Sequence, residues 1–112
     1  MDIEDIRNIC LALPGVTEDI KWENDLCFLI AEKMFCVVNL TGELNVTFKV
    51  PDDDFERWIS SDGVHPAPYL ARAKWIQVTD LQNADAAEIK NAIVQSYELI
   101  KAKLPKKVRE SF

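Results

Sequence analysis

The sequence predicts an α+β fold, a two-layer sandwich in which an antiparallel sheet carries helices packed on one face. Two observations predict it: three strand-like segments separated by two-residue gaps in the middle of the chain, and amphipathic helical patterns near both ends. Strands joined by such short gaps pair antiparallel, and a helix with one apolar stripe needs a face to cover. A chain of 112 residues is the size of one domain, so we expect residues 1–112 to form a single unit.

The helices are predicted over residues 2–13 and 84–103. Asp2 is the expected N-cap of the first, and Leu13-Pro14-Gly15 ends it. Asn83 is the expected cap of the second, and Pro105 bounds it. The apolar positions at helical spacing are Ile3, Ile6, Cys10 and Leu13 in the first helix and Ile89, Ala92, Ile93, Tyr97, Ile100 and Leu104 in the second.

Strands are predicted over residues 26–31, 34–40, 43–50 and 74–79, with loops over 16–22 and 60–73. Turns at Glu32-Lys33 and Thr41-Gly42 would pair Phe28 with Val37 and Val37 with Val46. This register assigns to the core face Phe28, Ile30, Phe35, Val37, Leu44, Val46 and Phe48. It assigns to the outer face Cys27, Leu29, Cys36, Val38, Asn45, Thr47 and Lys49.

The charge limits the classes of function. The chain carries 13 basic and 19 acidic residues, for a net charge of −6. Residues 1–60 hold 5 basic and 13 acidic side chains, while residues 61–112 hold 8 and 6. Nucleic-acid binding depends on phosphate neutralisation, so only the C-terminal half offers a candidate basic face. The same lysines also fit an ordinary role near a helix C-terminus.

The cysteines and the N-terminus predict a cytoplasmic protein. Cys10, Cys27 and Cys36 are odd in number and lack metal-binding spacing, so we expect reduced thiols. The acidic start does not resemble a secretory signal, and no apolar run reaches the roughly 18 residues of a membrane span.

No catalytic motif is present. The sequence lacks a phosphate-binding glycine loop, a nucleophile elbow and a zinc-protease motif, and His65 is the only histidine. We therefore expect neither an enzyme nor a bound cofactor. The aspartates at 52–54 are expected to cap a short helix over 55–59, with a carboxylate metal site as the alternative.

The outer sheet face is the first candidate for a binding surface. If the fourth predicted strand neighbours the third, Lys49, Trp75 and Gln77 share that face with Asn45 and Thr47. An indole among polar groups can serve as a platform for a ligand, although the 60–73 loop could equally cover it. That loop is stiffened by Pro66 and Pro68 beside Tyr69, and its length is a second indication of function.

Several segments along the chain carry a family resemblance. They are Leu13-Pro14-Gly15-Val16 with Glu18 and Trp22, the strand through Val37, Pro66-Ala67-Pro68-Tyr69-Leu70, Trp75-Ile76-Gln77-Val78 and Ser96-Tyr97. Together they resemble the YjbR/MmcQ family of small bacterial proteins. The resemblance implies a fold like that of the frataxin homologue CyaY, a double-wing arrangement for which DNA binding has been proposed, and no established activity or cofactor. The stretch between Tyr69 and Trp75 departs from the family in lacking glycine.

Three functions remain open at this point. DNA would be bound by Lys49, Arg72, Lys74 and the C-terminal lysines. A partner protein, a small ligand or a second copy of the chain would use the outer face, at Leu29, Val38 and Trp75, with a pocket beside Tyr69 and Trp75. Iron would need Glu4, Asp5 and Asp52 to Asp54. The residues singled out for a nucleic-acid or ligand surface are Lys49, Tyr69, Arg72, Lys74, Trp75 and Gln77.

Overall fold

The structure, a computed structural model, describes residues 1–112 and has a single six-stranded antiparallel sheet. The helices are α1 (Ile3–Leu11), α2 (Phe55–Ile59), α3 (Ala86–Ala102) and α4 (Lys106–Arg109). The strands are β1 (Val16–Lys21), β2 (Asp25–Ile30), β3 (Lys33–Asn39), β4 (Val46–Lys49), β5 (Val64–Pro66) and β6 (Trp75–Val78), in the order β1-β2-β3-β4-β6-β5. The predicted α+β class is confirmed. None of the helices has the length and apolar character needed to cross a membrane.

Helix α1 begins where the sequence predicts. The Asp2 carboxylate accepts the Asp5 N–H at 2.9 Å, and the Asp5 carboxylate accepts the Asp2 N–H at 2.9 Å, which completes a capping box. The exposed side of the helix is tied to β1 by a two-pronged ion pair, with Arg7 Nη2 2.7 Å and Nε 3.0 Å from the two oxygens of Glu18. This pair lowers the pKa of the Glu18 carboxyl.

Helix α3 has the predicted stripe but a different cap. The Asp85 carboxylate accepts the N–H groups of Ala87 and Glu88 at 2.9 and 3.2 Å, so Asp85 is the N-cap. The prediction of Asn83 was wrong because its amide instead donates to Asp80 in the preceding turn, at 2.9 Å. Ile89, Ala92, Ile93 and Tyr97 are buried against the sheet, as the spacing predicts.

Two predicted loops contain strands. Residues 16–22 were predicted to be a loop, but β1 pairs with β2 along its whole length, from Val16 opposite Ile30 to Lys21 opposite Asp25. The pattern was missed because β1 is a largely exposed edge strand with little apolar alternation. Residues 60–73 likewise include β5 and a 3₁₀ turn at Ala71–Ala73, so this loop prediction was also wrong in part.

The first hairpin has a different register from the predicted one. Its turn is at Ala31 and Glu32, whose φ values of 48° and 67° give the left-handed backbone of a tight hairpin turn without glycine. A β-bulge then shifts the pairing, so that Phe28 faces Cys36 while Leu29 faces Met34, with Phe35 as the extra residue. The bulge places Phe35 and Cys36 both in the core, each fully buried.

This shift exchanges the predicted faces of β3. Val38 pairs with Val46 in the core, and Val37 pairs with Thr47 on the outer face. The assignments of Val37 to the core and of Cys36 and Val38 to the outer face were therefore wrong. The core positions predicted at Phe28, Ile30, Phe35, Val46 and Phe48 are confirmed, since each is fully buried.

Ser96 on α3 completes the hydrogen bonding at the bulge. The ladder between β3 and β4 stops at the pair of Cys36 and Phe48. Beyond it, the Ser96 hydroxyl donates to the Phe35 carbonyl at 2.7 Å and accepts the Lys49 N–H at 3.0 Å. One helix side chain thus replaces a missing pair of strand hydrogen bonds, which a buried backbone requires.

The second hairpin has a longer loop than the two residues predicted, because β3 ends at Asn39 and β4 begins at Val46. Gly42 has the expected positive φ of 75°. The Asn39 amide organises the loop: it donates to the carbonyls of Thr41 and Glu43 and accepts the Asn45 N–H, all at 2.5 Å. Hydrogen bonds from one asparagine side chain therefore hold a loop that is longer than the predicted two-residue turn.

Candidate functional site

The outer face of the sheet mixes apolar and polar side chains, in contrast to the apolar, helix-covered face. A single row of side chains crosses it from strand to strand through the pairs Cys27–Val37, Val37–Thr47, Thr47–Gln77 and Gln77–His65. Cross-strand partners share one face, so the row passes from apolar to polar across the sheet. No helix packs on this side, and the only covering segment is the chain between β5 and β6.

A groove of about 490 Å³ lies on this face. That volume is in the range of small-molecule sites. Its walls combine strand residues with the start of the segment between β5 and β6. The lining residues are Trp22, Asp25, Met34, Val37, Asn39, Asn45, Thr47, Ala67, Pro68, Tyr69, Leu70 and Gln77.

Two exposed aromatic rings line the groove. Seven of the ten aromatic side chains are buried, but Trp22 is 66% exposed and Tyr69 is fully exposed. Both have a left-handed backbone, with φ of 51° and 65°, which is rare for bulky residues. At Trp22 this backbone belongs to the turn between β1 and β2, which has nearly the same φ values as the turn at Ala31 and Glu32, and at Tyr69 it belongs to the segment between β5 and β6. The connections between strands, rather than apolar packing, therefore position the two rings.

Asp25 is the only charged side chain that lines the groove. The residue is half-buried at the start of β2, and its carboxylate accepts no hydrogen bond and forms no ion pair; the four ion pairs of the molecule all lie elsewhere. Burial and then the Asp25 charge raise the pKa of the neighbouring Cys27 thiol. The groove is therefore locally negative, with an anion that has no partner inside the protein.

The polar part of the floor is a row of amides. Asn39 is held by its contacts in the 40–45 loop, and Asn45 is fixed in turn by Asn39. The Gln77 Nε2 donates to the Asn45 Oδ1 at 3.4 Å, which leaves the Gln77 Oε1 and the Thr47 hydroxyl free of protein partners. The Gln77 Oε1 can accept a hydrogen bond from a ligand, and the Thr47 hydroxyl can accept or donate one.

The structure does not gather the six singled-out residues on one surface. Tyr69 and Gln77 line the groove as expected. Lys49 and Trp75 were predicted to face water, but they are only 8% and 5% exposed, so these predictions were wrong. The reason is the segment after β5, which folds back so that Leu70 accepts the Trp75 N–H at 3.3 Å. The alternative in which this loop covers the indole is the one observed.

The basic residues lie apart from the groove. Lys49 Nζ donates to the Ala73 carbonyl, and Lys74 Nζ lies 4.9 Å from the centre of the Phe55 ring. Burial, and after it the nearby Lys103 and Lys74, lower the pKa of Lys49. Arg72 is exposed on the adjacent 3₁₀ turn.

The acidic residues proposed for iron do not converge. No group of three or more histidine, cysteine, aspartate or glutamate side chains is placed to hold a metal ion. Asp5 is used in the capping box, and Glu4 is 3.2 Å from Arg7. Asp52 to Asp54 form a 3₁₀ turn before α2 and make no side-chain cap, so the capping prediction was wrong there.

The comparison with family sequences agrees with this fold. The sequence model of the YjbR family matches residues 11–99. The chain belongs to the YjbR family. The match includes both aromatic residues of the groove, Trp22 and Tyr69, and all six strands of the sheet. No curated protein sequence matches this YjbR protein.

Two crystal structures are similar to this YjbR protein. One is Deinococcus radiodurans protein DR2400, with the DUF419 domain: the TM-score is 0.89 at 22% identity, over 97% of this chain and 86% of that one. The other is a protein from Pseudomonas syringae, with a TM-score of 0.75 at 19% identity, over 88% of this chain and 98% of that one. At these identities the likeness shows the fold alone.

Sequence reasoning missed Trp22, Asp25 and Met34 as parts of the site. Trp22 was assigned to a loop without a role, although it is one of the residues that carry the family resemblance. A large aromatic residue flanked by lysine and glutamate, outside any apolar periodicity, is the signal that could have identified it. Asp25 and Met34 could not be placed without the correct hairpin register.

Proposed function

We propose that this protein is a binding module that takes a small ligand in the groove between Trp22 and Tyr69. The observation that carries the proposal is that these two rings, both with left-handed backbones, line the same groove while most other aromatic side chains are buried. Exposed indole and phenol rings leave apolar surface in contact with water. A bound ligand would bury this surface, which is favourable.

The chemistry of the groove supports binding rather than catalysis. Its titratable side chains are Asp25 and Tyr69, and the lining residues include no histidine, cysteine or lysine to form an acid–base pair or an activated nucleophile. The amide row and the Thr47 hydroxyl offer orientation by hydrogen bonds, and Val37, Met34 and Leu70 offer apolar contact. We include a cytoplasmic location in the proposal, which the three free thiols support.

A nuclear magnetic resonance titration of the full ¹⁵N-labelled chain tests the proposal. Benzyl alcohol and indole serve as neutral aromatic probes. We expect shift changes that saturate and that cluster at Trp22, Val37, Thr47, Tyr69 and Gln77. The double variant Trp22→Leu/Tyr69→Leu should lose this binding. Phe112→Leu is the matched control, because Phe112 is the third exposed aromatic residue and lies outside the groove.

The same titration can also contradict the proposal. Shifts spread over the surface, or retained in the double variant, would show that the groove is not a ligand site. Sedimentation of the free chain separates this function from self-association through the outer face: a dimer dissociated by Trp22→Leu/Tyr69→Leu would assign the groove to a second copy of the chain instead.

DNA binding is a second candidate, favoured by the lysines around the end of β4. Lys74 and Lys103 lie close enough to Lys49 to lower its pKa, and Arg72 is exposed nearby. These groups would have to act against a net charge of −6. Fluorescence anisotropy with duplex DNA at about 50 and about 200 mM salt tests this candidate, since phosphate contacts produce a steep salt dependence. A Lys74→Gln/Lys103→Gln variant should weaken such binding, and no binding at the lower salt concentration excludes it.

A further inference from the structure

We propose that the ligand of the groove is a small organic cation, with an ammonium group held by the faces of Trp22 and Tyr69 and neutralised by Asp25. This inference rests on the proposed function and adds to it the chemical class of the ligand. It follows from the combination of two exposed rings, one unpartnered carboxylate and no cationic side chain among the lining residues.

The charge distribution in the groove is the first reason to expect a cation. A half-buried carboxylate normally finds a hydrogen bond or an ion pair, because desolvation of an unpaired charge is costly. Asp25 has neither, although Lys21 is its cross-strand partner on β1. The groove thus has a free anion that favours a cation and disfavours a phosphate or carboxylate ligand.

The pair of aromatic rings, Trp22 and Tyr69, is the second reason to expect a cation. The negative faces of indole and phenol rings attract alkylammonium groups, and aromatic cages recognise these ligands in other proteins. Two other rings of the molecule already have a cation of the chain: Arg57 lies 5.1 Å from the ring of Trp58, and Lys74 lies 4.9 Å from that of Phe55. Trp22 and Tyr69 have no such internal cation, so both rings are available to one from outside.

The size of the groove fits a small molecule better than a partner protein. A volume of about 490 Å³ accommodates a ligand of a few dozen heavy atoms at most. A stable protein interface needs roughly 800 Å² from each partner. The neighbouring edge strand β1 carries three charged residues among six, Glu18, Asp19 and Lys21, which disfavours strand addition there.

The experiment compares probes that differ only in charge. Choline is paired with its neutral isostere 3,3-dimethylbutan-1-ol, and benzylammonium is compared with benzyl alcohol and benzoate, each titrated against the full chain by nuclear magnetic resonance. We expect each cation to bind in the groove about tenfold more tightly than its neutral partner, and benzoate to bind most weakly. Asp25→Asn should weaken the cations by about threefold and leave the alcohols unchanged.

The control variant is Asp53→Asn, which removes the same charge from the exposed 3₁₀ turn before α2 and should change nothing. If alcohols and cations bind the groove equally, or Asp25→Asn has no effect on the cations, the inference is wrong while the groove remains a ligand site. If no probe of any charge binds there, the proposed function fails together with it.

Discussion

The two faces of the sheet obtain their properties from different parts of the sequence. The helix-covered face is built by strand and helix periodicity, which places Phe28, Val46 and Phe48 in a continuous apolar core. The outer face owes its shape to connections: the turn at Trp22 and the segment around Tyr69 place two rings beside a floor of mixed apolar and polar side chains. Periodicity therefore specifies the stable side of this molecule, and turn geometry specifies the side that we propose to bind ligand.

The largest difference between the faces should appear in stability. Phe48→Ala removes a fully buried ring that packs edge-on against Trp58, with ring centres 5.9 Å apart. We expect a loss of about 3–5 kcal/mol in the free energy of unfolding, measured by urea denaturation. Trp22→Ala, an aromatic truncation on the other face, should cost less than about 1 kcal/mol. Similar losses for both would show that Trp22 is part of the core.

Neighbouring valines on β3 test the register directly. Val38 is fully buried and Val37 is half-buried in the groove floor. Val38→Ala should therefore lower the free energy of unfolding by about 2 kcal/mol, and Val37→Ala by less than about 1 kcal/mol. The reverse order would restore the register in which Val37 faces the helices. The same denaturation experiment measures both variants.

This valine pair also marks how far the sequence could predict the fold. Helix and strand positions follow from apolar spacing, so α1, α3 and the core rings at Phe28 and Phe48 were predicted correctly. The β-bulge at Phe35 has no sequence signal, because its geometry depends on the hydroxyl of Ser96, a residue 61 positions away in the chain. One extra residue exchanged the faces of Cys36, Val37 and Val38.

The site was less predictable than the fold for a related reason. Tyr69 was predicted from the stiff, proline-containing loop and Gln77 from the alternation along the fourth predicted strand, and both line the groove. The prediction that Lys49 and Trp75 are exposed was wrong, because the segment after β5 folds back over both residues. No local sequence pattern encodes that fold-back. Asp25 acquires its place in the groove only through pairing with β3.

Burial of Lys49 on the outer face gives a test by pH. Burial, and then Lys103, lower the pKa of Lys49 in the folded protein, so the unfolded chain binds the proton more tightly. The contribution of Lys49 to the free energy of unfolding should therefore rise with pH between its folded pKa and the ordinary value of 10.5. Urea denaturation across this pH range should show the rise as an increasing difference in the free energy of unfolding between the wild type and Lys49→Met. Lys90→Met, at an exposed position on α3, is the matched control. A flat difference for Lys49 would mean that its ammonium group is solvated.

The smallest expected change in the free energy of unfolding concerns the left-handed backbone at Tyr69. Its φ of 65° is disfavoured for any residue with a Cβ but costs glycine nothing. Because the ring is fully exposed, its removal alone should hardly change stability. Tyr69→Gly should therefore be more stable than Tyr69→Ala by about 1 kcal/mol in urea denaturation, although glycine gains more entropy on unfolding. If alanine were the more stable replacement, the backbone there would not be left-handed. The benzyl alcohol titration should weaken equally in both variants, because both lose the ring, so strain and binding at this position can be measured separately.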